Sequence, residues 1–91
     1  MGKATVHGYS RQAIVTRYIG PTDHRGARIS ARAYGGRVTV PYDYGSREPH
    51  DDAALALMAK MGWDETHDLV EGVAPDGWGN VYVLVPKGTI S

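Results

Sequence analysis

Two runs of strict alternation meet at a glycine pair, and this pattern constrains the fold more than any other stretch of the chain. From Arg28 to Ala33, Ile29, Ala31 and Ala33 fall on one side and Arg28, Ser30 and Arg32 on the other. From Arg37 to Tyr42, Val38, Val40 and Tyr42 oppose Arg37 and Thr39. A period of two is that of a half-buried strand. Between the runs stands Tyr34-Gly35-Gly36-Arg37. A Gly-Gly pair supplies both positive φ angles of a type I′ turn, so the hairpin is expected to turn at Gly35-Gly36. A two-residue turn then puts Arg28, Arg32 and Arg37 on one face. The opposite, apolar face needs a second layer to cover it.

Gln12 to Ile19 is rich in β-branched and aromatic residues and reads as a further strand, ended by Gly20 and Pro21. After a loop over 43–49, Asp51 and Asp52 place carboxylates where a helix dipole favours them. Within Asp52 to Met61, Ala54, Leu57, Met58 and Met61 make one apolar stripe at helical spacing, and Gly62 is a natural terminator, with Trp63 folding back. Two short strands follow, Leu69 to Val73 and Asn80 to Val85, joined by Ala-Pro-Asp-Gly-Trp-Gly. Val81, Val83 and Val85 alternate with Tyr82 and Leu84, so this strand is apolar on both faces and belongs inside a sheet or under another layer. The order β-β-β-α-β-β predicts an α+β fold: a mostly antiparallel five-stranded sheet with one helix packed on one face. The stripe is expected against Ile29, Ala31, Val38 and Val40. Residues 1–91 read as a single domain, with 1–10 expected to fray.

A 91-residue chain has no room for a second domain or a large cofactor cleft. Without cysteine it has no disulfide, thiolate metal site or cysteine nucleophile. No apolar run approaches a membrane span, no secretory h-region opens the chain, and Val6 occupies the place where a myristoylation signal wants Ser or Thr. The expected compartment is the cytoplasm. A formal net charge of zero conceals a division. Residues 1–40 carry Lys3 and six arginines against Asp23, a net +6, whereas residues 41–80 carry nine acids against Arg47 and Lys60, a net −7. Such a split favours charged partners.

Catalysis is poorly supplied. His7, His24, His50 and His67 are expected in separate loops, and there is no nucleophile elbow or phosphate-binding glycine loop. His50-Asp51-Asp52 reads as helix capping, and Asp64, Glu65, His67 and Asp68 lack the glycine and spacing of a calcium loop. No enzyme activity, cofactor or metal is expected. Two binding surfaces are. Arg25, Arg28, Arg32 and Arg37 with Tyr34 at the hairpin tip form a basic patch carrying an aromatic, suited to phosphate and base. Asp51, Asp52, Asp64, Glu65, Asp68 and Glu71 form an acidic ridge able to meet a basic groove, with Trp63 and Trp78 as interface candidates. The β-β-β-α order is similar to the last two-thirds of a double-stranded-RNA-binding domain, but here the helix opens on acids instead of lysines, and no RRM aromatic signature is present.

The stretch Tyr18-Ile19-Gly20-Pro21-Thr22-Asp23-His24-Arg25-Gly26-Ala27-Arg28-Ile29 resembles a small family carried by proteobacterial phages and plasmids, with the pattern Y-x-G-P-T-(N/D)-x-R-G-(A/S)-R-I. The likeness continues through Val38-Thr39-Val40-Pro41-Tyr42-Asp43, Met61-Gly62-Trp63 and Pro75-Asp76-Gly77, covering most of residues 14–85. It implies an origin on a mobile element. By analogy with other small cofactor-free phage proteins, the expectation is an anti-CRISPR-type inhibitor in the host cytoplasm. It would bind a CRISPR effector complex through the acidic ridge and block target DNA, as a monomer or weak dimer with no membrane contact. The alternative is a nucleic-acid-binding accessory protein using the arginine face.

Overall fold

A computed structural model describes residues 2–6 and 11–89. Its elements are β1 (Ala13–Ile19), β2 (Arg28–Ala33), β3 (Gly36–Pro41), α1 (Pro49–Met61), β4 (His67–Val73) and β5 (Asn80–Pro86). The five strands form one antiparallel sheet in the order β3-β2-β1-β5-β4, with the helix on one face. This is the expected α+β architecture. Residues 2–6 are exposed and outside any element. The rest of the expected frayed segment, residue 1 and residues 7–10, lies outside the described residues. Among the described residues no helix is long and apolar enough to cross a membrane.

The first hairpin turns one residue earlier than expected. Ala33 pairs with Gly36, so the turn residues are Tyr34 and Gly35, and Gly35 has the positive φ, 88°. Gly36 is instead the first residue of β3, where an added Cβ would stand 2.6 Å from Met61 Sδ. One glycine serves the turn, and the other lets the last helical turn approach the sheet. The shift moves the register by two residues, so every side chain keeps its expected face.

The helix begins at Pro49, whose fixed φ suits a first turn and whose missing N–H costs nothing there. It ends at Gly62 in the left-handed region (φ 74°), where Gly62 N–H donates to Ala59 C=O and Trp63 N–H to Met58 C=O. That is the Schellman arrangement. Leu57, Met58, Ala53 and Ala54 are buried, joined by Ile14, Ile29, Ala31, Tyr82 and Leu84, with Met61, Val38 and Val40 packed at the border. Removing Leu57 to alanine would cost about 2–5 kcal/mol. The helix lies over β1, β2 and β3. Its first turn is tied to the sheet by Thr16, a buried polar residue: the hydroxyl lies 2.8 Å from His50 Nδ1 and accepts the Asn80 N–H at 3.1 Å.

Candidate functional site

Two charged surfaces result. On the helix side, β4 and the start of α1 enclose a cleft of about 440 Å³ lined by Asp51, Leu55, Asp68, Leu69, Glu71 and Tyr82. Glu71 faces Tyr82 across β4 and β5. Tyr82 Oη donates to Asp51 Oδ1 at 2.6 Å, and Asn80 Nδ2 donates to Glu71 Oε2 at 2.8 Å and to Tyr82 Oη at 3.1 Å. Desolvation, then the neighbouring Asp51, raise the Glu71 carboxyl above its ordinary range. Burial first, then the bond to Asp51, raise the Tyr82 phenol, which stays protonated as a donor. Carboxylate oxygens of Glu48, Asp51 and Glu71 lie within 4.8 Å of one another, a spacing that would admit a divalent cation. Two of the three already accept a hydrogen bond from within the chain.

The expected ridge is divided: Asp51, Asp68 and Glu71 line the cleft, and Asp52, Asp64 and Glu65 lie outside its lining. Asp51 and Asp52 sit in the first turn of α1, Asp52 accepting from the Ser46 hydroxyl. Asp64 and Glu65 follow the far end of the helix, about 20 Å along its axis. Asp68, at the border of the cleft, stands opposite Val85 on β5 and pairs with Lys87 at 3.1 Å. The sequence pattern missed Tyr82 and Asn80, which hold the acids in the cleft. Nothing local marks them, because the partners lie 31 and 9 residues away.

The second surface is the sheet face turned away from the helix. Cross-strand partners share a face. Arg32 stands opposite Arg37 and Val15, and Arg17 opposite Ser30, so Arg17, Arg32 and Arg37 project from the same side. All three are exposed. Arg28 joins that face half-buried, with a buried Nε that lacks a hydrogen-bond partner. Arg25 lies exposed in the β1–β2 loop, its amide donating to Thr22 Oγ1, and Tyr34 is 92% exposed at the hairpin tip. Among the described residues no carboxylate pairs with Arg17, Arg28, Arg32 or Arg37.

Beside these arginines the β4–β5 connection encloses a concavity of about 260 Å³, lined by Arg17, Ser30, Arg32, Asp76, Trp78 and Gly79 among others. Trp78 is 59% exposed yet fixed through its backbone. Its N–H donates to Asp76 Oδ1 at 2.9 Å, and its C=O accepts from Tyr18 N–H at 3.1 Å. Gly79 presses so closely on β1 that an added Cβ would lie 1.8 Å from Thr16 O. The arginine-face pattern in the sequence did not include Arg17 and Trp78. Alternation within β1 was the available signal for Arg17; Trp78 was expected as an interface residue beside the acids, and only loop geometry brings it to the arginine face. Comparison with protein-family models, curated proteins and solved structures finds no match to this chain, so the two surfaces stand on their own geometry.

Proposed function

We propose that this chain is a nucleic-acid-binding module that uses the arginine face of its sheet. One observation carries the proposal: Arg17, Arg32 and Arg37 are exposed together without a carboxylate partner among the described residues. Arg32 and Arg37 are direct cross-strand partners, an arrangement that costs stability because like charges oppose each other. An anion between them removes that cost, and guanidinium groups bind phosphate bidentately. The test is fluorescence anisotropy with labelled DNA and RNA over a salt series. Binding should weaken linearly in log–log form, and replacing Arg17, Arg32 and Arg37 together by glutamine should lower the slope by roughly 2–3. A slope that the triple variant leaves unchanged refutes the arginine face.

A second reading, inhibition of a CRISPR effector complex, is favoured by the acidic corner where Glu48, Asp51 and Glu71 converge, together with the mobile-element resemblance. Carboxylates gathered at one corner can compete for a basic groove. Substituting Asp51 by asparagine and Glu48 and Glu71 by glutamine should abolish competition with target DNA. A folded triple variant that still competes excludes this corner.

A further inference from the structure

We propose that the ligand of the arginine face is single-stranded, with one unpaired base seated in the concavity against Trp78. This deepens the nucleic-acid reading and rests on it. Three features of the molecule bear on the choice of strand.

The first is size. About 260 Å³ between the face of β1–β2 and the β4–β5 connection holds a single planar group. A base inside a duplex is covered on both sides by its neighbours and enters such a space only after unstacking, which disfavours the duplex. A single strand offers its bases without that cost.

The second is the state of Trp78. A large aromatic that is 59% exposed contributes little to the core, so its fixed position is not explained by packing. Both its backbone polar groups are engaged, to Asp76 Oδ1 and to Tyr18 N–H, and the next residue is wedged against Thr16. The indole is therefore presented from a backbone with little freedom to lose on binding. Base–aromatic stacking of this kind accepts any base, because every base has a π-face.

The third is the company it keeps. Arg17 and Arg32 line the same concavity, and Arg37 stands beside Arg32 on the neighbouring strand. A base against Trp78 leaves its flanking phosphates to these guanidinium groups. Asp76, the one carboxylate lining the space, accepts the Trp78 backbone N–H through Oδ1 and is outnumbered there by Arg17 and Arg32.

The experiment measures anisotropy at one fixed salt concentration with short single-stranded DNA and RNA, the matching duplexes, and inorganic polyphosphate as a charge-only competitor. Variants are Trp78→Leu and Trp78→Phe, each checked for an unchanged melt. At least one single strand should bind about tenfold or more tightly than its duplex. Trp78→Leu should lose about ten- to a hundredfold on that strand, with polyphosphate competition unaltered, and Trp78→Phe should recover most of the loss. The preference between DNA and RNA then names the natural strand. Equal affinity for strand and duplex, or a Trp78→Leu variant that binds single strands like the parent, overturns the inference and leaves the arginine reading standing. Failure of every polyanion to bind refutes that reading as well.

Discussion

Gly79→Ala tests the closeness of the seam between β1 and the segment that leads into β5. The new Cβ would lie 1.8 Å from Thr16 O, 2.8 Å from Thr16 C and 3.2 Å from Arg17 Cα, all backbone atoms that no side-chain rotation can move aside. The strand must retreat from the 78–80 segment by more than an ångström to reach ordinary contact. That retreat strains the Tyr18 N–H to Trp78 C=O bond at 3.1 Å and the Asn80 N–H to Thr16 Oγ1 bond at 3.1 Å. Two hydrogen bonds at about 1 kcal/mol each, with about 1–3 kcal/mol for overpacking, give a loss of roughly 3–5 kcal/mol. For a domain this size each kcal/mol moves the melting temperature by about 4–8 °C, so the midpoint should fall by at least about 12 °C. Two controls isolate the cause. At Gly72 the nearest atom to an added Cβ is Val81 O at 3.9 Å, so Gly72→Ala should be near neutral. At Gly36 the clash, 2.6 Å, is with the Met61 side chain, whose rotatable bonds let it shift, so Gly36→Ala should cost less than Gly79→Ala. Thermal melts followed by far-UV circular dichroism decide it. A Gly79→Ala protein melting within about 2 °C of the parent would refute the close seam, and with it the fixed position of Trp78.

Glu71→Gln should raise the melting temperature at neutral pH and lose that advantage in acid. The Glu71 carboxyl is raised by desolvation and Asp51, so the folded chain holds its proton more tightly than the unfolded one. Its stabilising contribution is therefore complete below the ordinary value of 4.5 and is lost as pH rises through the raised value. Melts across pH 4 to 7 that show a constant gap between variant and parent would contradict the raised carboxyl. Arg37→Glu should stabilise the hairpin by a few tenths to about 1 kcal/mol, by turning the like-charge pair with Arg32 into an attractive one, while weakening phosphate binding. Denaturant titration showing a loss of stability instead would place Arg37 elsewhere in the register.

The elements with strong local signals were legible: β2 and β3 from alternation, β1 from its β-branched and aromatic residues, β5 from its two apolar faces, and the helix from its stripe and glycine stop. What spacing could not show depends on contacts distant in sequence. Gly35-Gly36 reads locally as a symmetric turn pair, but Gly36 answers to Met61, 25 residues on, so the turn moves to Tyr34-Gly35. The apolar strand was correctly placed inside the sheet, yet nothing in β5 itself announces β1 as its neighbour. That adjacency brings the β4–β5 connection beside Arg17 and Arg32. The basic face was therefore legible in part, Arg28, Arg32 and Arg37 from the hairpin, while its aromatic partner was not. The acidic ridge was inferred from closeness in sequence around the helix, whereas a helix of 13 residues holds its two ends far apart.

The zero net charge sums groups that are mostly separated in space and seldom paired among the described residues. Arg17, Arg32 and Arg37 occupy one face of the sheet, and the Glu48, Asp51 and Glu71 carboxylates lie beyond the other, beside the helix. A packed sheet stands between them, and with a screening length of about 8 Å at physiological ionic strength the two groups neutralise each other weakly. The Lys87–Asp68 pair is half-exposed on both sides and contributes little. A neutral molecule built this way is not drawn to a polyanion from a distance. Within a screening length, however, its field has direction: phosphates are attracted at the arginine face and repelled at the cleft. On the proposed strand-binding reading, the acids would serve as an orienting element, turning the concavity with Trp78 toward the strand and keeping the cleft away from it. Removing the cleft acids should therefore strengthen weak, unoriented binding more than it strengthens binding at Trp78.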